Sequence, residues 1–127
     1  MSTQTQTHPQ VASERPSTAL GAQQRTVRTD DGVTIAYTVR GEGPRTLLLM
    51  HGWGNAAVFW DDPLSNYLDL AGLRALCADY RGHGASDKVD MGYTNERFAR
   101  DMFAVADHEG VDHLVLVGFS MAGRFAQ

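Results

Sequence analysis

Residues 115 to 127 read VLVGFSMAGRFAQ. An apolar run, Leu114 to Val117, leads into Gly118-Phe119-Ser120-Met121-Ala122-Gly123. The pattern fits a buried strand, a sharp turn with a serine at its tip, and the start of a helix. This is the G-x-S-x-G turn called the nucleophile elbow. The turn has room only for small residues two before and two after the serine. Gly118 meets this fully. Ala122 departs from the strict pattern by one methyl, and Gly123 relieves the next position. Such a turn forces the serine into a strained backbone conformation and sets its hydroxyl at the carboxyl end of the sheet. A helix behind it aims unpaired N–H groups and a positive dipole end at the same place. The N–H of Met121 is thus a candidate oxyanion donor. The competing reading of Ser120 is an ordinary helix N-cap. The buried strand and the glycines at 118 and 123 favour the elbow.

A second donor is expected from the loop after an earlier buried strand. Leu47 to Met50 is a continuous apolar run, the mark of a strand buried on both faces. It is followed by His51-Gly52-Trp53-Gly54. Gly52 and Gly54 permit close backbone approach, and the N–H of Trp53 is the candidate donor. The same residues admit another reading. Gly52-Trp53-Gly54-Asn55-Ala56-Ala57 fits G-x-G-x-x-A, the dinucleotide-binding fingerprint. Asp79 lies near where an acid would bond a ribose hydroxyl. That fingerprint needs a helix to begin at once, with its N-terminus facing the pyrophosphate. Here Phe59-Trp60-Asp61-Asp62-Pro63 intervenes. The good helix signals, Pro63 with Asp62 as its cap, come only afterwards. The glycines therefore have a better use in an oxyanion loop.

The rest of the chain supplies a frame. RTVRTDDGVTIAYTVRGEG (residues 25–43) reads as two strands joined at Asp30-Asp31-Gly32. Val33, Ile35, Tyr37 and Val39 alternate in the second strand. LRALCADY (73–80) and HLVLVG (113–118) read as buried strands. A helix is expected from about Asn95 to Glu109. Its apolar stripe is Phe98, Met102, Val105 and Ala106, and Gly110 ends it. Buried strands alternating with helices predict an α/β domain over residues 25–127: a mostly parallel sheet, helices on both faces, and an N-terminal β-hairpin. Residues 1–24 are rich in Thr, Gln and Ser, carry no secretory signal, and read as a disordered tail.

Net charge is −4 and no basic patch stands out, which argues against nucleic acid or an anionic membrane as partner. The single cysteine, Cys77, reads as a small buried hydrophobe and fits a reducing, cytoplasmic setting. His8, His51, His83, His108 and His113 have no metal-ligand spacing, so no metal site is expected. His51 is expected to shape the oxyanion loop, and His83 to be tied to nearby backbone in its turn. Asp79 and Asp87 are expected to brace the loop around Arg81. Trp53, Phe59, Trp60 and Phe119 are candidates for an apolar acyl pocket. The plainer alternative packs Phe59 and Trp60 under the sheet.

HGWG (51–54), DYRGHGASD (79–87) and GFSMAG (118–123), in this order and with these elements between them, resemble the α/β-hydrolase superfamily. They look most like its branch of cofactor-free haloperoxidases, esterases and enol-lactonases. The resemblance covers residues 25–127 and implies Ser120 as nucleophile, with Trp53 and Met121 as backbone oxyanion donors. It implies a small acyl substrate and no cofactor. A serine at this position differs from the epoxide-hydrolase and haloalkane-dehalogenase branches, which place aspartate there. The family order is nucleophile, acid, histidine. MAGRFAQ, after Ser120, holds neither partner. The expectation is a hydrolase truncated before its acid and histidine, and inactive alone. A ligand-binding receptor or a non-catalytic remnant on the same scaffold is the alternative.

Overall fold

The computed structural model describes residues 22–52, 54–60 and 72–120. Five strands form one sheet: β1 (Gln23–Arg28), β2 (Thr34–Gly41), β3 (Arg45–Met50), β4 (Leu73–Ala78) and β5 (Leu114–Gly118). Their order across the sheet is β1-β2-β4-β3-β5. β3 pairs in parallel with both β4 and β5, whereas β2 is antiparallel to both β1 and β4. The sheet is therefore mixed. The hairpin is not an appendage, because its second strand is an interior member.

The hairpin turns as its Asp-Gly signal predicts. Gly32 takes φ +83°, and the Thr29 hydroxyl and backbone close the turn onto Val33. β1 begins at Gln23, two residues inside the stretch read as a tail. In β2 the expected alternation holds for Ile35 and Tyr37 and then fails. Thr38 and Arg40 are buried as well. An interior strand is covered on both faces, which alternation alone does not reveal.

Period two divides the core. Leu48 and Met50 of β3, with Leu76 and Ala78 of β4, face one side. Leu49, Ala75 and Cys77 face the other, with Ala57 and Trp60. The first side is closed by α1 (Asn95–His108), whose Phe98, Met102, Val105 and Ala106 are all buried as their spacing predicts. Burying each large apolar side chain contributes about 2 kcal/mol. The Thr94 hydroxyl accepts the Arg97 N–H at the N-terminus, and Gly110 takes φ +69° just past the C-terminus. The second side carries a 3₁₀ turn at Ala57–Trp60. The helix expected from Pro63 lies outside the described residues. β5 departs from expectation: Val115 and Leu116 are exposed. Among the described residues it is an edge strand with β3 as its one neighbour. No described helix is long and apolar enough to cross a membrane.

One acid interrupts the apolar stripe of α1. Asp101 has no exposure and accepts from Nε and Nη2 of Arg81, also fully buried, at 2.7 and 2.9 Å. The same guanidinium donates to both oxygens of Asp31 in the hairpin turn. Arg97 adds bonds to Asp101 and Asp30. The Arg81 and Thr29 donors hold the Asp31 carboxyl well below the usual carboxylate range. Removing Asp101 takes two charge-assisted hydrogen bonds from Arg81 but leaves it Asp31 as a partner, at a cost of about 2–3 kcal/mol. Asp101→Ala is expected to lower unfolding free energy by that amount in urea titration. A loss below about 1 kcal/mol would show that Arg81 is not held as described.

Candidate active site

β4 and β5 lie on opposite sides of β3, so successive connections from β3 and β4 lead in opposite directions across the sheet. The carboxyl ends of strands at such a reversal are where open α/β sheets place their sites. Three segments leave the sheet at that end: His51 onward from β3, Asp79 onward from β4, and Phe119-Ser120 from β5. All three motifs singled out in the sequence begin there.

Ser120 has φ +58°, the one positive φ outside glycine among the described residues. A residue with a Cβ held there stores roughly 1–3 kcal/mol. Neighbouring backbone ties the turn to β3. The Phe119 N–H donates to the Met50 carbonyl at 3.0 Å, extending the β3–β5 ladder to the turn itself. Gly52 comes so close that a Cβ on it would stand 3.4 Å from the Ser120 Cβ and 3.2 Å from the Phe119 ring. Ser120 is exposed. Trp53 and Met121, the two expected oxyanion donors, lie outside the described residues, as do Ala122 and Gly123.

The loop after β3 is a turn closed by the Asn55 N–H on the Gly52 carbonyl, at 3.1 Å. Gly54 takes φ +74° at its third position, a conformation that favours glycine. His51 is fully buried. Its Nε2 accepts the Tyr80 N–H at 3.3 Å, so its Nδ1 carries the proton and donates to the Gly52 carbonyl at 2.8 Å. Burial pushes its pKa down to about 4. With both nitrogens spent on backbone, His51 shapes this loop, as the sequence suggests. His83 bonds the Arg81 carbonyl at 3.1 Å, the expected local tie. It also accepts the Gly54 N–H at 3.1 Å, a contact across 29 residues that sequence reasoning misses.

Asp79 joins the same loops. Its Oδ1 accepts the Ala57 N–H at 2.6 Å, and its Oδ2 accepts the Ala85 N–H at 2.9 Å. Burial raises its pKa, against the pull of those two bonds. A Cβ on Gly84, at φ +49°, would collide with this carboxylate at 2.3 Å. Asp87 bonds Thr34 through side chain and backbone and takes the Gly82 N–H on its carbonyl. Both acids brace the loop as expected, while Arg81 itself is held by Asp31 and Asp101. The dinucleotide reading of Gly52, Gly54 and Ala57 loses its support here. Its acid is turned inward onto Ala57, and the turn that starts there is a four-residue 3₁₀ helix. Phe59 stacks on Phe119 with centroids 4.8 Å apart and meets Trp60 edge-on. Trp60 sits in the core and Phe59 packs against the same cluster, as the plainer alternative has it. Cys77 is buried, its thiol pushed up to about 12 by desolvation, and is no competing nucleophile.

Residues 45–127 match the family described as the alpha/beta hydrolase fold. The chain belongs to the α/β-hydrolase family. It is 37% identical over 97 residues to a non-heme haloperoxidase of Rhodococcus erythropolis, across 76% of this chain and 35% of that protein. It is 37% identical over 100 residues to a bifunctional esterase/perhydrolase of Acinetobacter calcoaceticus, with the same coverage. Among solved structures, an esterase from Exiguobacterium antarcticum superposes with TM-score 0.74 at 28% identity, over 82% of this chain and 38% of that one. An epoxide hydrolase from an endophytic Streptomyces also gives TM-score 0.74, at 31% identity, over 84% and 32% of the two chains. The chain thus spans about a third of the length of the curated relatives it matches.

The neutral, buried state of His51 has a consequence in acid. Its folded pKa, about 4, lies below the unfolded value of 6.5. The stability it contributes is complete above pH 6.5 and drains away as pH falls toward 4, because only the unfolded chain takes up the proton there. Unfolding free energy is expected to drop by on the order of 3 kcal/mol across that window through this group. His51→Asn should flatten that part of the curve. An unchanged slope in urea titrations at pH 7 and 4.5 would contradict it.

Proposed function

We propose that this chain carries the nucleophile of a serine hydrolase acting on an ester, a lactone or a similar small acyl compound. The observation that carries the reading is the strained, exposed Ser120 at φ +58°, set beside Gly52 at the carboxyl end of the sheet. Kinship with an esterase/perhydrolase and a haloperoxidase supports it. Serine rather than aspartate at position 120 favours acyl transfer over epoxide opening.

In this mechanism the Ser120 hydroxyl attacks the substrate carbonyl carbon and gives its proton to a histidine base. The carbonyl oxygen becomes an oxyanion, and the backbone N–H groups of Trp53 and Met121 are its proposed donors. Collapse expels the alcohol, which takes the proton back, and leaves an acyl group on Ser120. Water then releases the acid by the same steps. His51 and His83 are not that base, since both ring nitrogens of each are bonded to backbone groups. His108 and His113 precede β5, at the end of the strand opposite Ser120. The base is therefore not among the described residues. The exposed Phe119 ring, backed by Phe59, offers an apolar wall for the acyl group.

The test uses the complete translation product that contains these residues. A fluorophosphonate probe should label Ser120, and Ser120→Ala should abolish labelling. The substitution should also lower kcat on a p-nitrophenyl ester by on the order of 10⁶. Absence of labelling would sink the hydrolase reading. Labelling without turnover of any ester or lactone would favour a receptor on this scaffold.

A further inference from the structure

We infer that His83 is a positioning residue for the oxyanion loop: from the loop after β4 it grips the Gly54 N–H and fixes the turn that bears the Trp53 donor. The inference rests on the hydrolase reading for its catalytic consequence, but not for the contact itself.

Gly54 takes φ +74°, and among the described residues beyond its chain neighbours no heavy atom lies within 4 Å of where a Cβ would stand. Its restraint is the 3.1 Å bond to His83 Nε2. Because Nε2 accepts, the neutral ring carries its proton on Nδ1, and the Arg81 carbonyl receives it at 3.1 Å. The ring is nearly buried. It stands 5.3 Å from the His51 ring and edge-on to Tyr80 at 5.8 Å. Its backbone is tied on both sides, to the Tyr80 carbonyl and the Ser86 N–H.

The far end of this linkage is rigid. Arg81 is anchored through its side chain to Asp31 and Asp101, so its carbonyl is a fixed acceptor. The restraint runs from that buried ion pair, through the Arg81 carbonyl and the imidazole, to Gly54. The other end of the turn is held by a second imidazole of the same tautomer, His51, on the Gly52 carbonyl. Two neutral imidazoles thus grip one four-residue turn, one by its carbonyl and one by its N–H. A catalytic donor displaced by about 1 Å can cost on the order of 100-fold in rate, so a loosened turn should be felt in kcat more than in substrate binding.

His83→Phe keeps the ring volume and removes both bonds. His83→Gln keeps an acceptor at the reach of Nε2. His83→Asn is shorter and serves if the phenylalanine variant does not fold. In the complete translation product, His83→Phe or His83→Asn is expected to lower kcat on a p-nitrophenyl ester by about 10- to 100-fold with KM within about twofold. His83→Gln should recover most of that loss. Hydrogen exchange at the Gly54 amide should quicken by about tenfold or more in the first two variants and not in the third. Native Gly54 protection and native kcat in His83→Phe would overturn the inference, as would equal losses in all three variants. Should the unsubstituted protein hydrolyse no ester, the hydrolase reading fails, and the Gly54 amide still decides whether His83 holds the turn.

Discussion

A fully buried guanidinium sets where the candidate active site can form. Arg81 leaves β4 and meets Asp31 from the hairpin turn and Asp101 from the inner face of α1. Desolvating these charges is costly, and a well-packed apolar trio could give equal stability. What an apolar trio would lack is direction. Paired forks fix Arg81 in position and angle, and the Arg81 carbonyl and the Tyr80 N–H beside it then serve as fixed bonding points for His83 and His51. The ion pair is far from Ser120 in sequence, yet the loop facing Ser120 is referenced to it.

The strain at Ser120 needs such a reference. A residue at φ +58° relaxes unless its surroundings forbid relaxation. Here the ladder bond from Phe119 to Met50 ties the turn to β3, and Gly52 lies alongside, where a Cβ would stand 3.4 Å from the Ser120 Cβ. Gly52 is itself held by His51, and its turn by His83. The elbow and the loop opposite it are therefore mutually restraining, and softening either loosens the other.

Much of this was legible in the sequence, and the division follows range. The α1 stripe, the Asp-Gly hairpin and the buried β3 and β4 express local periodicity and turn chemistry. The left-handed backbone at Ser120 was legible because the steric demand of a tight turn falls on neighbours in the chain, Gly118 above all. The mixed character of the sheet was not, since nothing local in β2 announces its antiparallel pairing with β4. Burial of Thr38 and Arg40 is a consequence of that pairing. The bond from His83 to Gly54 was missed for the same reason: it joins two loops whose proximity exists only once β3 and β4 are paired. Asp101 did leave a signal. An acid three residues after Phe98 and one before Met102 falls within the buried stripe of α1, and a buried acid requires a cation.

The glycine pattern shows how the site is told apart from a nucleotide fold with similar spelling. A dinucleotide loop uses its glycines so that backbone N–H groups can face phosphate, with a free acid waiting at the end of the next strand. Among the described residues of this chain, three N–H groups of the equivalent loop are already engaged. Gly54 donates to His83, Asn55 to Gly52, and Ala57 to Asp79. The acid is consumed by the loop it would have to accompany, and Gly84 is present because any side chain there would displace that carboxylate. Gly52 faces Ser120 rather than open solvent. What distinguishes the two readings is thus the ownership of the backbone donors, and here residues of DYRGHGASD take those of Gly54 and Ala57.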